Sequence, residues 1–128
     1  MRQIQFRVPI YEWNVTVITL YDKEDIKTIS EFMKVKDFSP EEIKNTTDEL
    51  VSDSVGGGRA YTLYNKRDAI IIIFPWENDA SFYNTLNHEK RHLIDDILEF
   101  HGVNDKEAAA HLDGFVSTII FNNLGKLT

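Results

Sequence analysis

The chain has 128 residues, 42 % of them hydrophobic, 12 % aromatic and 27 % charged, with a formal net charge of −7 and no cysteine. That length and apolar content predict one domain, residues 1–128, able to bury a core of its own. The acidic balance argues against nucleic acid or an anionic membrane as a partner, because both need a basic surface, and the lack of cysteine excludes disulfides and all thiolate chemistry.

Met1 to Phe6 carries no apolar run of the signal-peptide type. The longest apolar run, Ala69 to Phe74, is too short to span a bilayer. The expectation is a soluble cytoplasmic protein.

Ile4 to Ile10 and Asn14 to Leu20 are rich in β-branched and aromatic residues and read as two strands, with Pro9 suiting an edge or a strand end. Lys23 to Lys34 reads as a helix with Ile26, Ile29 and Phe32/Met33 on its buried stripe. Ser39-Pro40-Glu41-Glu42 opens a second helix, ending near Val51, with Ser at the N-cap and Pro in the first turn. Gly56-Gly57-Gly58 reads as a mobile connection and not a phosphate loop, since no Lys-Ser/Thr pair follows it. Ala60 to Tyr64 and Ala69 to Phe74 form a hairpin around Asn65-Lys66-Arg67-Asp68. The run of isoleucines from 70 to 73 predicts a strand covered on both faces. A long helix follows from about Ala80 to His101, capped by Asn78 or Asp79 and closed by Gly102. Asn104 caps a last helix from Asp105 to about Asn123. The order ββααββαα predicts an α+β domain with a mostly antiparallel four-stranded sheet.

The long helix carries His88-Glu89-Lys90-Arg91-His92, the pattern HExxH. Two His four apart stand on one helix face and can reach one zinc ion. The Glu between them then lies beside the metal, where it can take a proton from bound water. Phe82, Leu86, Leu93, Ile97 and Phe100 form the apolar stripe at about 100° per residue, and Glu89 falls at its edge. A carboxylate there is costly without a partner; a helix with only a structural role would carry Leu or Ala at position 89. Lys90 and Arg91 face away from the His pair and read as a solvated face. The competing reading makes the whole segment such a face.

Catalytic zinc usually has three protein ligands and a water. The extension HExxHxxGxxH is absent, since Asp95 and Leu98 occupy the later positions. Candidates for a third ligand are Glu107 and His111 at the start of the next helix. Ala110 and Gly114 would let the two helices approach closely, but Glu107 also fits a capping box with Asn104. A strictly antiparallel pair of helices would bring His111 nearer the level of His92, and a large crossing angle would favour Glu107. Asp95 or Asp96 can orient an imidazole through its N–H, and His101 reads as a helix-end residue.

The segment His88 to Phe115 resembles small zincin-like proteins encoded by phages and prophages. In that family HExxH is followed by a short loop and a helix opening on a Glu-x-x-Ala-Tyr-Leu type motif. Glu107 to Leu112 matches it, with His111 where Tyr is common. Looser relatives are the gluzincins, which include thermolysin-like peptidases and prophage anti-repressor peptidases. The resemblance implies a zincin-like domain, Glu107 as third zinc ligand after His88 and His92, and peptide hydrolysis with Glu89 as general base. The substrate would be a peptide or protein laid along a sheet edge by strand addition, with His111, Tyr83 or Tyr61 as an oxyanion helper. The rival is a non-catalytic binding or assembly protein of a phage or mobile element, with a structural metal site or none.

Overall fold

The computed structural model describes residues 1–52 and 56–128. Strands β1 (Arg2–Val8) and β2 (Trp13–Thr19) lead into helices α1 (Lys23–Val35) and α2 (Pro40–Val51). Strands β3 (Gly58–Leu63) and β4 (Asp68–Ile73) follow, then helices α3 (Asp79–Phe100) and α4 (Lys106–Asn122). The expected ββααββαα order is observed, in an α+β arrangement.

Local chemistry sets most of these boundaries. Asp22 and Asp25 form a reciprocal capping box at the start of α1, as Ser39 and Glu42 do for α2. Asn78 accepts a hydrogen bond from the Ser81 N–H and starts α3. Gly102, at φ 68°, lets the chain leave α3 in the left-handed region. The cap of α4 is Asp105, which accepts from the Glu107 N–H, and not Asn104. The expected capping box between Asn104 and Glu107 is therefore replaced by a cap one residue later. Gly56 and Gly57 have positive φ, but Gly58 is the first residue of β3, paired with Ile73.

The sheet order is β1-β2-β4-β3. The β1–β2 and β3–β4 pairs are antiparallel, whereas β2 and β4 are parallel. The sheet is thus mixed: the α1–α2 crossover delivers the chain to the edge strand β3, which runs against β2, and the β3–β4 turn then reverses it so that β4 inserts beside β2 in the same direction. In register, Ile4, Val17, Ile71 and Ala60 make one row across the four strands. This row packs on Phe82, Leu86, Leu93 and Ile97 of α3 and Leu112, Val116 and Ile120 of α4. On the other face Ile18, Ile70 and Ile72 pack on Ile26, Ile29 and Met33 of α1 and Leu50 of α2. β4 is buried along its whole length, as a strand covered by helices on both faces must be. No helix among the described residues is long and apolar enough to cross a membrane.

At the end of α3, His101 does more than close the helix. Its Nε2 accepts from the indole N–H of the fully buried Trp13 at 3.0 Å. Burial, and then Arg67, hold its pKa below the ordinary imidazole value.

Ile71→Ala should lower unfolding free energy by about 2–5 kcal/mol through the cavity it leaves in the α3–α4 core. Val35→Ala, at a side chain 81 % exposed, should change it by less than about 0.5 kcal/mol. Urea denaturation monitored by circular dichroism separates the two, and equal costs would refute the two-faced burial of β4.

Candidate metal centre on α3

α3 presents three faces. Its apolar arc meets the sheet through Phe82, Leu86, Leu93 and Ile97. A second face meets α4 through Lys90, not through the His pair. The Lys90 ammonium donates to Asn87 and Ser117 and pairs with Asp113 at 3.1 Å. It also lies 5.8 Å from the centre of the Phe121 ring. Lys90 is only 7 % exposed. This corrects its assignment to a solvated face: four aliphatic carbons are buried between two helices while the ammonium is satisfied at the seam. Arg91 is exposed as expected, paired with Asp95 at 3.0 Å.

The third face carries the motif. At about 100° per residue, His88 and His92 each lie roughly 160° around the helix from Lys90. Both rings are exposed. Their Nε2 atoms converge to 3.0 Å, with ring planes nearly perpendicular at 88°. Tetrahedral coordination at ordinary Zn–N lengths requires two nitrogens about 3.3 Å apart. The two imidazoles therefore already stand near chelating separation, which is the respect in which these residues fit a zinc ion.

Glu89, about 60–100° around the helix from the two His and on the β3 side, is only 7 % exposed. Its Cγ would come within 3.2 Å of a Cβ at position 58. Burial raises its pKa, against the opposing pull of His88, His92 and Arg59. Asp96, two turns further along α3, is half-buried and accepts from the Thr62 hydroxyl at 3.3 Å. Burial raises its pKa as well, while Thr62 and His92 lower it. Contacts from Gly58 to Thr85 and Glu89, and from Thr62 to Asp96, run β3 alongside the motif face. β3 is an edge strand, so the His pair stands beside an open sheet edge.

Neither candidate third ligand joins the pair. Glu107 is exposed in the first turn of α4, and α4 lies on the Lys90 flank of α3. His111 lines an apolar groove of about 320 Å³ with Val8, Pro9, Tyr11 and Phe115, beside the β1–β2 turn. That turn lies toward the opposite edge of the sheet from β3. Among the described residues no group of three His, Asp or Glu side chains is placed to hold a metal. The proposed oxyanion helpers are dispersed too. Tyr83 packs on Phe121, and Tyr61 packs against the α1–α2 core.

Gly58 is the residue that the motif alone did not reveal. A Cβ there would meet the Ile72 carbonyl oxygen at 2.6 Å, Thr85 Cγ2 at 3.1 Å and Glu89 Cγ at 3.2 Å. Its signal was its place at the end of a glycine run opening a strand, where close approach of two backbones is one standing reason for glycine.

Gly58→Ala should cost about 1–3 kcal/mol by overpacking, read by thermal or urea denaturation; no loss would mean that the Ile72 carbonyl, Thr85 and Glu89 do not close in on position 58. Glu89→Gln tests the buried carboxylate. A group whose folded pKa is raised contributes stability below its unfolded value, about 4.3 for Glu, and loses it as pH rises through the folded pKa. The stability of Glu89→Gln relative to the parent should therefore increase from pH 4 toward neutrality, and the reverse trend would contradict burial of an ionisable group. Comparison with protein-family models, with curated proteins and with solved structures finds no match to this chain.

Proposed function

We propose that this chain is a zinc-dependent peptide hydrolase of the zincin-like kind, with His88 and His92 holding the metal and Glu89 as general base. The observation that carries the reading is the convergence of the two Nε2 atoms at 3.0 Å on the helix turn that also carries a Glu only 7 % exposed. Zinc, when bound, supplies Lewis-acid polarisation of a carbonyl and acidification of a water. Glu89 takes the proton of the attacking water and returns it to the amine nitrogen as the C–N bond breaks. In the metal-free chain burial raises its pKa, the direction that strengthens a general base, while a bound cation would pull it the other way. The edge of β3 offers backbone groups for an extended peptide beside the His pair. Asp96, held by Thr62, lies near enough to His92 for the two charges to attract. The phage or mobile-element origin and the cytoplasmic setting belong to the same reading, resting on the resemblance of His88 to Phe115.

The second reading is a binding or assembly protein in which the same pair holds a structural metal. What favours it is the position of Glu107 and His111 on α4, away from the motif face. Glu107 is accordingly not assigned as a ligand.

Untagged protein should bind zinc, measured by elemental analysis, and His88→Ala/His92→Ala should lose it. Glu89→Gln should keep the zinc and reduce cleavage of a peptide library at least about 100-fold, the size of a general-base contribution. Zinc binding without cleavage of any peptide would leave the structural-metal reading. Full activity in Glu89→Gln would remove Glu89 from the mechanism.

A further inference from the structure

We infer that the zinc position on α3 is completed by a second copy of this chain, so that one ion joins His88 and His92 of two molecules in a latent dimer. The inference rests on the zinc reading of the His pair and adds its partner and its regulation. Closed zinc sites take four nitrogen or sulfur donors, and the pair supplies two. Among the described residues no third His, Asp or Glu is placed with the pair; the first turn of α4 shares a groove with Arg91, Asp95 and Glu99 but adds no ligand to the pair, and Lys90 with its bonds to Asp113 and Ser117 fixes α4 there. On the motif flank, Asn84, His88, Arg91, His92, Asp95 and Glu99 form a continuous exposed strip along α3. A second molecule can reach both imidazoles along that strip.

Two features make zinc the only adhesive. The strip has no aliphatic or large aromatic side chain, so hydrophobic burial contributes little to joining two copies. Each molecule also carries a net charge of −7, and two such molecules repel. A divalent cation at the contact supplies the attraction that the protein surfaces lack. Four imidazoles leave no coordination position for a water or a peptide carbonyl, so the joined form is inactive. Dilution or a competing peptide releases single molecules with open positions, and Glu89 then has a water to work on. Activity per chain should accordingly fall as protein concentration rises.

The experiment is a zinc titration of the untagged, metal-free full chain, followed by sedimentation velocity and by elemental analysis of the desalted protein. One zinc per two chains is expected, with the mass doubling in step and returning to that of a single chain on adding a chelator. His92→Ala should lose both effects while keeping its far-ultraviolet circular dichroism, and Glu107→Ala should change neither. One zinc per chain at unchanged single-chain mass would overturn the dimer and leave the metal reading standing. No zinc bound by the parent would overturn both. Doubling of the mass without zinc would also overturn the inference, since the surfaces would then suffice.

Discussion

The distance between α3 and strand β3 governs everything on the motif face, and a single missing side chain sets it. At position 58 any Cβ would press on a backbone carbonyl and on the stem of Glu89 at once. Because glycine is there, the helix settles against the strand and the Glu89 carboxylate is drawn out of water. Its raised pKa follows from that burial. The two imidazoles, one position before and three after it, are left at the surface with their nitrogens converging. The chemistry ascribed to HExxH thus depends on a residue thirty positions upstream that bears no functional group.

The buried arc of Phe82, Leu86, Leu93 and Ile97 sets how α3 lies on the sheet, and Lys90 adds a restraint on its roll. Its long apolar stem is buried between α3 and α4, while Asn87, Asp113 and Ser117 take up the ammonium. Rolling α3 to bring the imidazoles toward α4 would pull that charge into the apolar seam without its partners, an unfavourable exchange in a low-dielectric setting. Lys90 therefore helps to hold the His pair toward the β3 edge. The same arrangement explains why the second half of the family-like pattern, Glu107 to Leu112, stands apart from the first half although both lie in one helical hairpin.

Most of the fold was legible in the sequence because it is written in local rules. Ser39-Pro40 and Asn78 announced their helices through caps, and the isoleucine run announced a strand with two covered faces. The parallel pairing of β2 with β4 was not legible, since it follows from the α1–α2 crossover reaching β3 first and the β3–β4 hairpin then inserting β4 beside β2, and not from any residue in either strand. The site was half legible. Helical spacing alone put His88 and His92 together and Glu89 at the edge of the apolar arc. The environment of Lys90 was misread because periodicity shows which way a side chain points but not whether another helix is waiting there. For the same reason spacing could not say on which flank of α3 the residues of α4 would fall.

The strand order also bears on how the chain reaches this structure. β1 with β2, β3 with β4 and α3 with α4 are each neighbours in sequence, so each pair can form with little loss of chain entropy. The β2–β4 ladder, by contrast, joins Val17 to Ile71 and must wait until the whole α1–α2 crossover is gathered in. Long-range pairings of this kind slow folding. The Glu89 burial site needs none of them: Gly58, Thr62, Thr85 and Asp96 all belong to the contiguous stretch from β3 to α3. The motif face is therefore built from contacts within the carboxy-terminal half, and the parallel ladder is the long-range pairing that joins that half to the amino-terminal hairpin.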